Sequence, residues 1–157
     1  MALAKTSPAI PDVEYSDLLS RPGFLLRRAH QAAVAIFVEE AGRLSLTPPQ
    51  HNVLSVINSH PGCSQAELSR AAGYDRATVG AVLVGLEARN LIGRHASPRD
   101  RRLKTLSITR QGGQLLKMAA PVTEQINRRV MERLSPDERV LLVRLLAKIA
   151  FSRPPKA

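Results

Sequence analysis

The densest concentration of reactive charge in the chain lies between Arg94 and Lys104. It holds Arg94, Arg99, Arg101, Arg102 and Lys104, with His95 among them and Asp100 as the single acid. Guanidinium groups bind phosphate oxygens through paired N–H donors, and they enter narrow minor grooves where the negative potential is deepest. A carboxylate inside such a run holds a neighbouring guanidinium in one rotamer by a bidentate bond. Taken alone, the run is equally well a solvated charged turn. The residues before it weight the choice. Ser64-Gln65-Ala66-Glu67 is a capping box that opens a short helix, Gly73 closes that helix, and Asp75 caps the next. Two helices joined through a glycine at this spacing form a helix-turn-helix, whose second helix enters the major groove by its N-terminal end.

On that second helix Val79, Val82, Leu83 and Leu86 form the apolar stripe. Arg76, Ala77, Thr78, Gly80, Ala81 and Val84 lie off it and face outward, with Arg76 and Thr78 as the polar candidates for base edges or phosphates. The expected DNA-contacting set is Ser64, Gln65, Asp75, Arg76, Ala77, Thr78, Gly80, Ala81, Arg94, Arg99, Asp100, Arg101, Arg102 and Lys104. Catalytic constellations are missing from the sequence. It contains no His-Glu-x-x-His, no Cys-x-x-Cys, no glycine-rich phosphate loop and no Gly-x-Ser-x-Gly elbow. Four His and one Cys, widely scattered, do not make a zinc site, so neither an enzyme nor a metal or other cofactor is expected.

Composition agrees with a polyanionic partner. The 157 residues carry 23 Lys and Arg against 13 Asp and Glu, a formal charge of +10, which favours nucleic acid or an anionic surface. Three Phe, two Tyr and no Trp leave no stacking platform for single strands, so a duplex is the better partner. At 44% hydrophobic residues the chain has material for a core. Cys63 stands alone, which fits a reducing compartment. The N-terminal residues lack the apolar core of a signal peptide, and the uncharged stretch Ala32 to Val38 is too short to span a bilayer. The expectation is a cytoplasmic protein with no membrane partner.

The elements that must position these residues follow from periodicity and punctuation. Residues 1–12, with Pro8 and Pro11, read as a tail or arm. A helical pattern starts near Val13, restarts at Pro22-Gly23, and continues through Phe24, Leu25, Arg28, Ala32, Ile36 and Phe37 to about Gly42. Thr47-Pro48-Pro49-Gln50 is a capping box for a helix bearing Val53, Leu54 and Ile57, ended by Pro61-Gly62. After the helix-turn-helix, Asn90 is a left-handed stop. Leu91–Ser97 and Leu103–Thr109 read as two strands, with Ile92, Leu106 and Ile108 inward. Thr109 caps a long helix with Leu115, Ala119, Val122, Ile126 and Val130 on one side, and Pro121 should kink or interrupt it. Ser135-Pro136-Asp137-Glu138 opens a last helix, with Leu141, Leu142, Leu145, Leu146 and Ile149 as its core face. The fold class is mainly α with a small β-hairpin wing.

The run from Leu46 to Gly112 resembles the MarR family of winged helix-turn-helix regulators. The similar elements are Leu46-Thr47-Pro48-Pro49-Gln50, Ser64-Gln65-Ala66-Glu67-Leu68, Asp75-Arg76-Ala77-Thr78-Val79, Leu86-Glu87, Asp100-Arg101-Arg102 and Leu106-Ser107-Ile108-Thr109 with Gly112. The resemblance implies an α-helical dimer, with residues 13–46 and 110–157 as dimerisation helices and 47–109 as the DNA-binding lobe. It implies a homodimeric regulator, a repressor on a palindromic operator, released by a small-molecule effector. One departure stands out: many members carry Thr or Ser followed by Arg where this chain has Gly80 and Ala81. The segment from Pro22 to Gln31 is also similar to a subgroup linked to aromatic-acid catabolism, which implies an aromatic acid or its coenzyme A thioester as effector. Arg27, Arg28, His30 and His51 are the expected ligand-binding residues, each with solvated surface placement as the alternative. A redox switch at Cys63, beside a helix N-terminus that lowers thiol pKa, is the second switching mechanism, against a small buried hydrophobe. An effector-independent architectural DNA-binding protein is the other functional reading.

Overall fold

The computed structural model describes residues 16–96 and 104–151. The expected arm at 1–12 and the hairpin tip with Arg99, Asp100, Arg101 and Arg102 lie outside the described residues. The elements in chain order are α1 (Ser16–Leu19), α2 (Pro22–Ala41), a 3-10 turn (Gly42–Leu44), α3 (Pro48–Ser59), α4 (Gln65–Ala72) and α5 (Arg76–Ala88). They are followed by β1 (Ile92–Ala96), β2 (Lys104–Ile108), α6 (Arg110–Val130) and α7 (Pro136–Ala150). The class is mainly helical with one two-stranded antiparallel hairpin, as the sequence indicates.

The start signals act as read. Thr47, Ser64 and Ser135 each cap a helix in a reciprocal box with Gln50, Glu67 and Glu138. Asp75 and Thr109 cap α5 and α6 by accepting from the backbone N–H of Thr78 and Gly112. Gly73 and Asn90 take positive φ of 72° and 53°, which ends α4 and turns the chain after α5.

Two apolar clusters divide the described chain. The larger joins α3, α4, α5 and the hairpin around Val53, Leu54, Ile57, Leu68, Val79, Leu83, Leu86, Leu91, Ile92 and Leu106. The smaller, Phe37, Ala41 and Ile126, joins α2 to α6. Arg129 clasps the same pair of helices, donating to Glu39 at 2.9 Å and Glu40 at 2.6 Å.

Two expectations about the flanking helices need correction. Pro121 does not interrupt α6, which is one helix from Arg110 to Val130 with the proline ring exposed. Along the apolar side of α6, Ala119 and Ile126 are buried, Leu115 and Val122 half-buried, and Val130 at the end 42% exposed, while Arg28 and Ala32 of α2 are exposed. The face of α7 is no core within this chain: none of its residues is buried, and Leu141, Leu145, Leu146 and Ile149 are all exposed. The periodicity registered an apolar face correctly, but among the described residues no other element covers it.

Candidate nucleic-acid interface

The helix-turn-helix is built by a few side chains that fix α5 against α4. Gln65, at the first position of α4, donates from Nε2 to the Arg76 carbonyl at 3.2 Å, across the turn to the start of α5. Tyr74 in the turn packs on the larger core, and its hydroxyl accepts from Asn52 of α3 at 3.0 Å. Asp75 uses both carboxylate oxygens on the cap: Thr78 donates its N–H at 2.8 Å to one and its hydroxyl at 2.6 Å to the other. These bonds, the hydroxyl first, hold the Asp75 carboxyl below the usual range, so its negative charge stays committed to the helix N-terminus.

Several expected contact residues are therefore occupied within the fold. The Ser64 hydroxyl donates to Glu67 at 2.8 Å and accepts from the Glu67 N–H at 3.3 Å. Thr78, the expected polar reader, has spent its only hydroxyl proton on Asp75 and is half-buried. Arg76, Ala77 and Ala81 stand exposed, and Gly80 is partly so. Val84, on the same outer face, is 63% exposed.

The hairpin leaves α5 through Leu91, which is fully buried, and pairs Ile92 with Ile108 through to Ala96 with Lys104. Its base is held by a third segment that periodicity gives no sign of. Gly62 donates its N–H to the Leu106 carbonyl at 2.8 Å, and Leu106 donates to the Cys63 carbonyl at 2.9 Å. The turn before α4 thus becomes a short partner for β2, and helix and wing are fixed to one another. Arg94 Nε lies 2.8 Å from Glu87 Oε2 near the end of α5. This pair was not foreseen, because the two residues meet only after the Asn90 turn reverses the chain. Lys104 is exposed on β2, opposite Ala96.

The expected ligand-binding residues are scattered. His51 of α3 borders a cleft of about 410 Å³ between α3 and α6, with Ser55, Asn58, Leu116, Thr123 and Asn127 around it. Thr123 gives its hydroxyl proton to the Ala119 carbonyl at 3.0 Å, so His51 Nε2, 3.1 Å away, is the donor of their mutual bond. The His51 ring also lies 5.7 Å from that of Phe37. Arg27, Arg28 and His30 are exposed on α2 and do not line this cleft; Arg27 sits 6.0 Å over the Phe24 ring. Cys63 is buried, and burial, reinforced by the Glu67 charge, pushes its thiol up. The lowering expected from the nearby helix N-terminus is outweighed.

Residues 44–103 match the model of the MarR family. The chain is 35% identical over 150 residues to the HTH-type transcriptional repressor NicR of Pseudomonas putida, covering 94% of this chain and 95% of NicR. It is similar in structure to Bordetella bronchiseptica BpsR, whose DNA binding is regulated by 6-hydroxynicotinic acid, at 36% identity and a TM-score of 0.81. That match covers 85% of this chain and 96% of BpsR. The transcriptional repressor CouR, solved bound to a 23-mer DNA duplex, superposes with a TM-score of 0.82 at 32% identity, over 88% of this chain and 99% of CouR. With a family match over residues 44–103 and relatives of this identity along nearly the whole of both chains, the chain belongs to the MarR family of transcriptional regulators.

Proposed function

We propose that this protein is a homodimeric transcriptional repressor that binds a palindromic operator through α5 and the wing and leaves it on binding a small aromatic acid or its coenzyme A thioester. The observation that carries the reading is the outer face of α5. Its N-terminal half stands exposed on a turn pinned by Gln65, Asn52 and Asp75, beside a hairpin whose connecting run is rich in arginine. In this reading Arg76 contacts a base edge or phosphate, and Arg94, Arg99, Arg101, Arg102 and Lys104 serve the backbone and minor groove. Ser64, Gln65, Asp75 and Thr78 act by holding α5 in position. Residues 47–109 form the reading lobe, and 13–46 with 110–157 join two chains. The uncovered apolar face of α7 supports that last assignment.

The effector assignment is supported by the cleft at His51, which offers two Asn amides and an apolar wall of Leu116 and Ala120, with the Glu124 carboxylate at its edge. A ligand there touches both α3 of the reading lobe and α6, so it can bias how the two sit together. Arg27, Arg28 and His30 supply cations for a carboxylate or for thioester phosphates if the dimer brings α2 over that cleft. A switch at Cys63 finds no support, because a raised thiol pKa leaves little thiolate at neutral pH.

Selection of duplexes from a random pool by the full-length protein tests the reading. One palindromic site bound about a thousandfold more tightly than random DNA is expected. Uniform binding with a steep salt slope would instead identify an architectural protein. Arg101→Ala should weaken binding to all sequences and lower the salt slope by about one phosphate equivalent. Aromatic acids and their thioesters should shift the melting temperature and release the selected duplex; a panel that does neither removes the effector assignment.

A further inference from the structure

The outer face of α5 lacks the chemistry that a solvent-facing helix normally shows. Ala77, Gly80, Ala81, Val84 and Ala88 follow one another at helical spacing along it. Val84 is 63% exposed, and from Ala77 to Leu86 no side chain carries a charge. The one hydroxyl in that span, on Thr78, is turned back onto Asp75. A helix face left to water is ordinarily covered by charged and polar groups. Here the charges stand at the ends instead, Arg76 at the N-terminus and the Glu87–Arg94 pair near the other end. A polyanion can therefore be held at the margins while the centre makes contacts that need no hydrogen bond.

Gly80 adds an independent observation. A Cβ built there would meet only Gln65 Nε2, at 3.5 Å, an ordinary contact with the end of a flexible side chain. Its φ is not in the left-handed region. Neither packing nor backbone conformation asks for glycine at this position, yet glycine weakens a helix. The remaining use for a missing side chain is close approach of something from outside.

On the proposed DNA-binding reading, the groups presented in a major groove narrow the choice. Guanine offers two acceptors, cytosine a donor and adenine one of each, and each calls for a polar side chain. Thymine alone presents a methyl group that apolar side chains match. We infer that α5 reads thymine methyl groups in the major groove through Ala81 and Val84, with Gly80 letting the duplex lie against the helix backbone. Sequence preference at these base pairs then comes from van der Waals fit rather than from hydrogen bonds.

The test takes the tightest duplex selected by the full-length protein and replaces half-site thymines singly with deoxyuridine, which removes only the methyl group. Affinity is read by fluorescence anisotropy at one fixed salt concentration. At one or two symmetry-related positions per half-site, affinity should fall about fourfold, the effect of losing one buried methyl-sized group. Val84→Ala should abolish that sensitivity at one of the positions, and Gly80→Ala should raise the melting temperature while weakening binding. A duplex bound equally well after every half-site thymine is replaced overturns the inference and leaves the DNA-binding reading intact. A pool from which no duplex is selected overturns both.

Discussion

Gly112 shows how much a single missing side chain can decide. A Cβ at this position would lie 2.1 Å from the Leu91 carbonyl oxygen and 2.9 Å from Ile108 Cγ1. The same carbonyl already accepts the Thr109 N–H at 3.1 Å, while the Thr109 hydroxyl donates to the Asn90 carbonyl at 2.7 Å. The end of α5, the end of β2 and the start of α6 therefore meet at backbone contact distance. Gly112→Ala must push them apart, and overpacking of this kind costs about 1–3 kcal/mol. Denaturant unfolding should show the loss, together with weaker DNA binding as the hairpin shifts. The glycine itself is plain in the sequence, but its reason is not, because the oxygen it admits belongs to a residue across the hairpin.

The elements of this fold begin where side chains pair with helix N-terminal amides, and that gives their stability a pH signature. Backbone bonds from Ser64 and from Ser135 lead in holding Glu67 and Glu138 below the usual glutamate range. The Thr78 hydroxyl leads in doing the same for Asp75. With native values below the unfolded ones, the stabilisation is complete above about pH 4.3 and disappears as pH falls through the native values. Urea midpoints should therefore decline on the acid side from about pH 4, and Glu67→Gln should make that decline shallower. A midpoint independent of the Glu67 substitution would show that the box contributes nothing to this limb. These starts were legible because a capping box is local, its partners three residues apart. The joining of the wing base to the turn at Gly62 and Cys63 was not, since its partners lie more than forty positions apart.

At the scale of the whole molecule, apolar surface is left uncovered among the described residues. Val140, Val143, Ile149 and Phe151 are 71%, 57%, 59% and 83% exposed, and Leu25 and Leu26 of α2 are exposed as well. Isolated exposed apolar residues are ordinary, but a contiguous set along one helix marks an interaction surface. Light scattering at micromolar concentration should give the mass of two chains. Leu145→Glu combined with Ile149→Glu should give the mass of one, with the helix-turn-helix still folded because both positions are exposed in the protomer. The double variant should also bind the selected palindrome far more weakly, as one half-site in place of two. A native chain that scatters as a monomer would refute the dimer.

The basic run at the wing and the helix-turn-helix before it are properties of residue type and short spacing, so the sequence alone determined the class of fold and pointed to duplex DNA. Capping, turns and amphipathic stripes are interactions within a few residues, and they placed the described α-helices and both strands, though not the 3-10 turn Gly42–Leu44. Only the tertiary structure decided how the candidate residues are used. Thr78 and Asp75 satisfy each other, Arg94 meets Glu87, His51 turns toward Thr123, and Cys63 is buried. Each outcome depends on which groups the fold brings within bonding distance. A polar side chain already bonded within the protein has less to offer a ligand, and spacing along the chain does not record that loss.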